Sequence, residues 1–338
     1  MPQTILVTGA SGFIASHTIL ELLAHGYAVR GSLRDICRAK SLVCALSKYD
    51  DRARHINFVE VQLTNATSWT DAMRGCEGVF HIASPVPIMQ PRDATEIIET
   101  ARSGTLNMLR AATAAGVAKV VMTSSTAAVW GPRGQGSRVY GPSDWSDGDS
   151  TEQSPYSRSK TLAERAAWEY VDKPMRPVLA IVNPAIVLGP ALQTDYGASL
   201  KLLHTLLSGG LPLTPNLGFE MVDVRDVASL HRLAFESSAA DGERLMCSAG
   251  FRWLREVVEQ LRISCPSHAG KLPRWHMPNP ILKLVALLAR DLQRYVPELG
   301  VRREIDTSRT RELLGWQPRN PDEAIAAGGQ SLLRLGIV

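Results

Sequence analysis

The sequence predicts an α/β fold, a doubly wound parallel sheet with a smaller, mostly helical C-terminal lobe. Three observations carry that prediction. The first is the glycine-rich turn Thr8-Gly9-Ala10-Ser11-Gly12-Phe13-Ile14-Ala15, set between a β-like run at 4–8 and a helix-spaced apolar run at 13–23 that Gly26 closes. The second is alternation. β-rich stretches at 28–34, 56–61, 78–82, 119–123 and 178–183 are separated by amphipathic segments, the pattern of parallel strands joined by helices on both faces. The third is a change after Pro190, where helical pieces are separated by Pro and Gly, with further strands expected at 220–224 and 244–248.

A turn of this kind can cradle a pyrophosphate, because a helix N-terminus aims unpaired amides and a positive dipole at an anion. Gly9 permits the tight turn, Gly12 lets backbone approach phosphate, and Ala15 in the third slot lets helix pack on sheet. Thr8, Gly9, Ser11, Gly12, Phe13 and Ile14 are the expected contacts. The spacing is Gly-x-x-Gly-x-x-Ala, and alone it also fits an ordinary strand-to-helix turn. Together with the alternation it implies a Rossmann-type domain over 1–188, to which 219–248 return, and a substrate-binding lobe formed by 189–218 and 249–338.

Composition points to a cytoplasmic enzyme. The chain has 338 residues, is 45% hydrophobic and carries a formal charge of +4, which gives no electrostatic case for nucleic acid or membrane. Cys37, Cys44, Cys76, Cys247 and Cys265 are odd in number and form no Cys-x-x-Cys pair, so they read as reduced packing residues. Met-Pro-Gln stands directly before the first strand, leaving no room for a signal peptide, and Lys283 interrupts the apolar run at 280–289. No His/Cys/Asp cluster suggests a metal; His81 reads as structural and His17 lies in the first helix.

The end of the second strand selects the dinucleotide, since an acid there would bind the ribose hydroxyls of NAD and repel the extra phosphate of NADP. Leu33 occupies that position. Arg34 follows, with Arg38 and Lys40 close behind, and a guanidinium suits a 2′-phosphate. NADP(H) is therefore favoured over NAD(H). Asp35 would be the ribose acid after a shift of register, and Arg34 and Lys40 would then merely solvate a helix start.

Tyr156 and Lys160 stand four apart in a helix expected over 154–171, so both side chains meet one ligand. A free phenol, with a pKa of about 10, exchanges protons poorly near neutrality, and a nearby ammonium favours the phenolate. The same lysine can reach the nicotinamide ribose while the phenol reaches a substrate oxygen. Hydroxyls to orient that oxygen follow the strand at 119–123, in Thr123-Ser124-Ser125-Thr126, at the carboxyl edge where open α/β sheets bind ligands.

By these motifs the chain resembles the extended short-chain dehydrogenase/reductases over nearly its whole length. Gly78-Val79-Phe80-His81-Ile82-Ala83-Ser84-Pro85, Gly104-Thr105-Leu106-Asn107, Tyr156-x-x-x-Lys160 and Asn183-Pro184-Ala185-Ile186-Val187-Leu188-Gly189-Pro190 are similar to the branch of dihydroflavonol, cinnamoyl-CoA and microbial aldehyde or ketone reductases. The resemblance implies a Ser/Tyr/Lys triad of Ser125, Tyr156 and Lys160, with Thr126 the competing hydroxyl. It also implies that Arg34 and Lys40 grip the 2′-phosphate, and that Gln62, Leu63, Ala83, Ser84, Thr123, Pro184 and Val187 border the cofactor. Gln62-Leu63 stands where the family has Asp-Leu, which alters the adenine contact.

The expected function is an NADP(H)-dependent carbonyl reductase or secondary alcohol dehydrogenase acting on a small, largely apolar or aromatic substrate, as monomer or homodimer. A nucleotide-sugar epimerase or dehydratase would share fold, loop and triad. Its pattern carries an Arg just before the strand Met221-Val222-Asp223-Val224, where this chain has Phe219 and Glu220. A non-catalytic NADP-sensing protein would not need both Tyr156 and Lys160. Val86, Trp130, Tyr140, Trp145, Leu188, Tyr196, Leu200 and Leu203 are read as chamber lining or plain core, and Asp223, Arg225 and Asp226 as a structural ion network.

Overall fold

The computed structural model describes residues 2–85, 94–131, 136–288, 293 and 295–338. Its strands are β1 (Thr4–Val7), β2 (Ala28–Leu33), β3 (Asn57–Glu60), β4 (Gly78–His81), β5 (Lys119–Thr123), β6 (Arg138–Tyr140), β7 (Val178–Pro184), β8 (Ile186–Leu188), β9 (Leu213–Pro215), β10 (Gly218–Asp223), β11 (Arg244–Cys247), β12 (Gly250–Trp253), β13 (Trp275–Met277) and β14 (Arg303–Ile305). The helices are α1 (Phe13–Ala24), α2 (Ala39–Leu46), α3 (Ser68–Met73), α4 (Thr95–Ala114), α5 (Pro155–Val171), α6 (Lys201–Leu207), α7 (Val224–Glu236), α8 (Leu254–Ser264), α9 (Asn279–Leu288), α10 (Ser308–Leu314) and α11 (Pro321–Arg334).

Seven strands form one sheet in the order β11-β7-β5-β4-β1-β2-β3, and every pairing in it is parallel. Because the strands are covered on both faces, consecutive residues enter different cores. Ile5 and Val7 pack with Ile19, Leu22, Val227 and Leu230 of α1 and α7. Leu6, Val120 and Met122 pack on the other side with Met108, Leu109, Ala163 and Ala167 of α4 and α5. The chain leaves β1 towards β2 and β3, then returns to β4 on the opposite flank of β1. This reversal opens a crevice at the carboxyl ends of β1 and β4, where such sheets bind ligands.

The expected return to the sheet over 219–248 is realised only from α7 onward. β10 instead pairs in parallel with β8 and antiparallel with β12 in a separate three-stranded sheet. The cause lies one connection earlier: β7 ends at Pro184, and β8 departs to build the smaller sheet. The lobe core is helical, with Leu203, Leu206, Val257, Leu261, Ile325 and Leu332 of α6, α8 and α11 packed together. His17 of α1 ties it to the large domain through the Pro190 carbonyl at 2.8 Å. Among the described residues no helix is long and apolar enough to cross a membrane.

Candidate active site

The turn after β1 passes through Gly9 at φ +67°, the left-handed region that glycine enters without a Cβ penalty. A Cβ on Gly9 would also lie 3.1 Å from that of Ala83, just past β4, and one on Gly12 would lie 3.1 Å from the Gly9 carbonyl oxygen. The Gly12 amide donates to that carbonyl at 2.8 Å, closing the turn. α1 then begins with no side-chain cap and no acid in its first turn, so its leading amides are available to an anion. Ser32 steadies the turn by accepting the Gly9 amide at 3.3 Å and, through its carbonyl, the Ala10 amide at 2.8 Å.

Thr8 serves this cradle from behind. Its buried hydroxyl accepts the Ile82 and Ala83 amides at 3.0 and 2.9 Å and meets His81 Nδ1 at 3.1 Å, pinning the end of β4 to β1. Ser11 offers its carbonyl to Gln193 Nε2 at 2.7 Å, and Phe13 packs edge-on against His17. Ile14 packs against the core beneath the loop. Ala83 and Ser84 border the crevice, half-buried.

β2 ends at Leu33, and Arg34 and Lys40 are both exposed. Neither is committed to an ion pair among the described residues, whereas Arg38 is held by Asp195 at 2.6 Å. Asp35 turns its carboxylate onto the Cys37 amide at 2.9 Å, as the cap of a short helical turn. The acid is therefore engaged locally, and the free cations beside it fit a phosphate. Gln62 Nε2 donates to the Arg34 carbonyl at 3.4 Å. Leu63 sits under Gly104, whose missing Cβ leaves it room, and its carbonyl accepts from Asn107 at 3.2 Å. The glycine turn, the uncapped helix and the free cations together fit a dinucleotide with a 2′-phosphate.

The catalytic candidates converge at the carboxyl end of β5. Ser154 caps α5 by accepting the Ser157 amide at 3.0 Å, and Pro155 opens the helix. Tyr156 follows in its first turn, half-buried, with the Ser125 hydroxyl beside its phenol. Ser125 also accepts the Ala127 amide at 3.1 Å. The hydroxyl beside Tyr156 is thus that of Ser125, while Thr126 is buried. Lys160, 4% exposed, points its ammonium at the Thr123 carbonyl at 3.3 Å. The Thr123 hydroxyl faces away, bonded to His231 at 2.7 Å. Pro184 and Val187 are buried where β7 gives way to β8.

Electrostatics here depart from the expected lowering of the phenol. Burial pushes the Tyr156 pKa above its usual value, and the nearby Ser125 hydroxyl only partly opposes it. Burial pulls Lys160 down to about 8 against the attraction of Glu164. His81, near Lys160, is pulled to about 3 by burial and then by that lysine, so it stays neutral.

The structure adds residues that the pattern reading passed over. Glu164 is fully buried one turn beyond Lys160; it accepts from the Ser124 hydroxyl, from Asn183 Nδ2 at 2.9 Å and from Arg244 Nε at 2.6 Å. A carboxyl four residues after Lys160 on the same helix face was the available signal. Other expectations resolve towards core. Tyr140, Leu188, Leu200 and Leu203 are fully buried in apolar clusters and line no chamber. Trp130, Trp145 and Tyr196 keep partial exposure, and Val86 lies outside the described residues. Cys76, Cys247 and Cys265 are buried, but Cys37 and Cys44 are exposed and do not pack.

Two further expectations concern β10. Asp223 caps α7 through the Arg225 amide and pairs with the Arg225 guanidinium at 2.7 Å, and Asp226 binds Arg319 and its amide, a structural network. Where sugar-nucleotide enzymes carry an arginine, Glu220 is buried against the Ser248 hydroxyl and the Ile305 amide, its pKa pushed up to about 7 by burial.

Fold, crevice and converging Ser/Tyr/Lys define a dinucleotide-dependent enzyme scaffold, and sequence comparison agrees. The profile of the NAD dependent epimerase/dehydratase family matches residues 5–247. The chain belongs to this family, the extended short-chain dehydrogenase/reductases. Cinnamoyl-CoA reductase 1 of Petunia hybrida is 36% identical over 269 residues, 79% of this chain and 78% of that protein. The bifunctional dihydroflavonol 4-reductase/flavanone 4-reductase of Malus domestica is 32% identical over 279 residues, 79% of this chain and 77% of its own. Yeast methylglyoxal/isovaleraldehyde reductase Gre2, solved with NADPH, superposes with a TM-score of 0.81 at 25% identity, over 99% of this chain and 100% of that one.

Proposed function

We propose that the protein is an NADP(H)-dependent reductase of ketones or aldehydes, able to run in reverse as a secondary alcohol dehydrogenase. The observation that carries this reading is the Ser125 hydroxyl beside the Tyr156 phenol past the carboxyl end of β5, with buried Lys160 one turn away on the Thr123 carbonyl. Relatives named as reductases of cinnamoyl-CoA, dihydroflavonol and methylglyoxal support it. In this reading the large sheet with its helices binds the dinucleotide, and the segments at 189–218 and 249–338 close over the substrate.

Gly9, Gly12 and the first turn of α1 hold the pyrophosphate, and Arg34 with Lys40 holds the 2′-phosphate. When bound, the dinucleotide supplies the hydride for reduction or takes it up in oxidation. Tyr156, kept protonated by its raised pKa, gives its proton to the carbonyl oxygen as that oxygen gains charge. Ser125 holds the same oxygen with its hydroxyl hydrogen. Lys160, charged below its pKa of about 8, offsets the charge left on the phenol. Half-buried Trp130 and Trp145, in the segment between β5 and α5, are the groups this reading assigns to a flat, apolar or aromatic substrate.

The test is a panel of aliphatic and aromatic ketones and aldehydes assayed with NADPH and with NADH. Turnover with NADPH well above NADH is expected. A protein that binds NADPH and oxidises it against no carbonyl is a sensor, and one that interconverts nucleotide sugars is an epimerase; either result overturns the proposal.

A further inference from the structure

Behind the catalytic hydroxyls lies a buried ion pair that the proton transfer does not itself use. Glu164 accepts from Ser124, Asn183 and Arg244, and Asn183 Nδ2 also donates to the Ser125 carbonyl at 3.2 Å. The carboxylate is thus tied to the backbone that presents the Ser125 hydroxyl. Arg244, 8% exposed, reaches the other way: its Nη1 donates to the Pro142 and Asp144 carbonyls at 2.5 and 2.7 Å, and its guanidinium lies 3.7 Å from the Trp145 ring centre. The segment so gripped continues to Ser146, whose hydroxyl meets that of Ser157 at 3.0 Å, beside Tyr156.

Such a pair is a poor device for stability alone, because desolvating both charges consumes most of what their attraction returns. Its Nη2 and the Asn183 Oδ1 are buried without partners, which adds to that cost. What the arrangement does provide is registry. It joins the end of β5, the Lys160 face of α5, β7, β11 and the segment at 141–146, elements spread over residues 119–247 and two crossovers of the large sheet.

We infer that Glu164 and Arg244 are the positioning pair of this active site: Glu164, through Asn183, holds the Ser125 backbone, and Arg244 fixes residues 141–146 as the wall that receives the substrate. The inference rests on the carbonyl-reductase reading. Lys160 is faced by Glu164 and Tyr156 from its own helix, the Thr123 carbonyl from β5 and neutral His81 from β4, while the buried face of α4, with Thr105, Met108 and Leu109, carries no charge. Removing the Glu164 charge therefore leaves burial of the ammonium unopposed.

Glu164→Gln is expected to move the alkaline limb of kcat down by about one pH unit, because the ammonium is lost sooner. Arg244→Met is expected to raise KM for the carbonyl about tenfold, with a smaller loss in kcat and unchanged NADPH affinity. Arg244→Lys keeps the charge, and with it the fold, but cannot span a carboxylate and two carbonyls; it is expected to show the same KM rise. Wild-type protein that turns over, with folded Glu164→Gln and Arg244→Lys variants matching its pH limb and KM, overturns the pairing alone. Wild-type protein that reduces no carbonyl overturns the functional reading and the pairing with it.

Discussion

The cofactor cradle and the catalytic corner lie on the same sheet edge but are built in opposite ways. In the proposed reading the cradle is contiguous, residues 8–15, and its working groups are the leading backbone amides of α1, which no side chain caps. The corner gathers Ser125, Tyr156, Lys160, Glu164, Asn183 and Arg244, and its working groups are side chains, with burial raising the Tyr156 phenol and lowering the Lys160 ammonium. The difference teaches which changes each can absorb. The cradle tolerates side-chain replacement wherever a Cβ fits, whereas in the corner each replacement removes a working group.

The largest effect that sharpens this contrast is expected at Tyr156. Tyr156→Phe removes the proton donor and should lower kcat about 10³-fold, while NADPH titration gives an affinity close to that of the wild type. Next comes the cradle itself. Gly9→Val places a β-branched residue at φ +67° and drives its Cβ onto Ala83, costing about 2 kcal/mol or more. A lower Tm and NADPH binding weakened at least about tenfold should follow; unchanged NADPH binding would show that the turn does not hold the pyrophosphate.

Smaller again is the effect at the adenosine end, where Arg34→Ala should raise KM for NADPH about tenfold and hardly change that for NADH. Equal changes would mean that the 2′-phosphate is held elsewhere. The mildest effect is on pH. Lys160 is charged below its pKa of about 8, so the reduction rate should hold through neutrality and fall as pH rises through that value. A rate that climbs there instead would remove the ammonium from the mechanism.

The cradle was legible in the sequence because its chemistry is local: glycine spacing, a helix start, and Leu33 followed by Arg34. The strands were legible for a related reason, since a strand covered on both faces reads as a continuous apolar run, as in Lys119–Thr123. Pairing was not. That β10 joins β8 instead of the large sheet depends on where β7 stops, which no local pattern states. Leu188, Leu200 and Leu203 carry the same apolar signal whether they line a chamber or fill a core, and packing of α6 against α11 decided for core. Glu164 and Arg244 are 80 residues apart, so their meeting is a property of topology.

The central claim is that hydride and proton meet on a substrate carbonyl held by Tyr156 and Ser125. Its most direct test is turnover of a ketone with NADPH deuterated at the transferable position. The account predicts one deuterium on the carbinol carbon of the product in wild-type protein and none in Tyr156→Phe over the same interval. Oxidation of the cofactor without deuterium at that carbon, or equal labelling by the Tyr156→Phe variant, would contradict it.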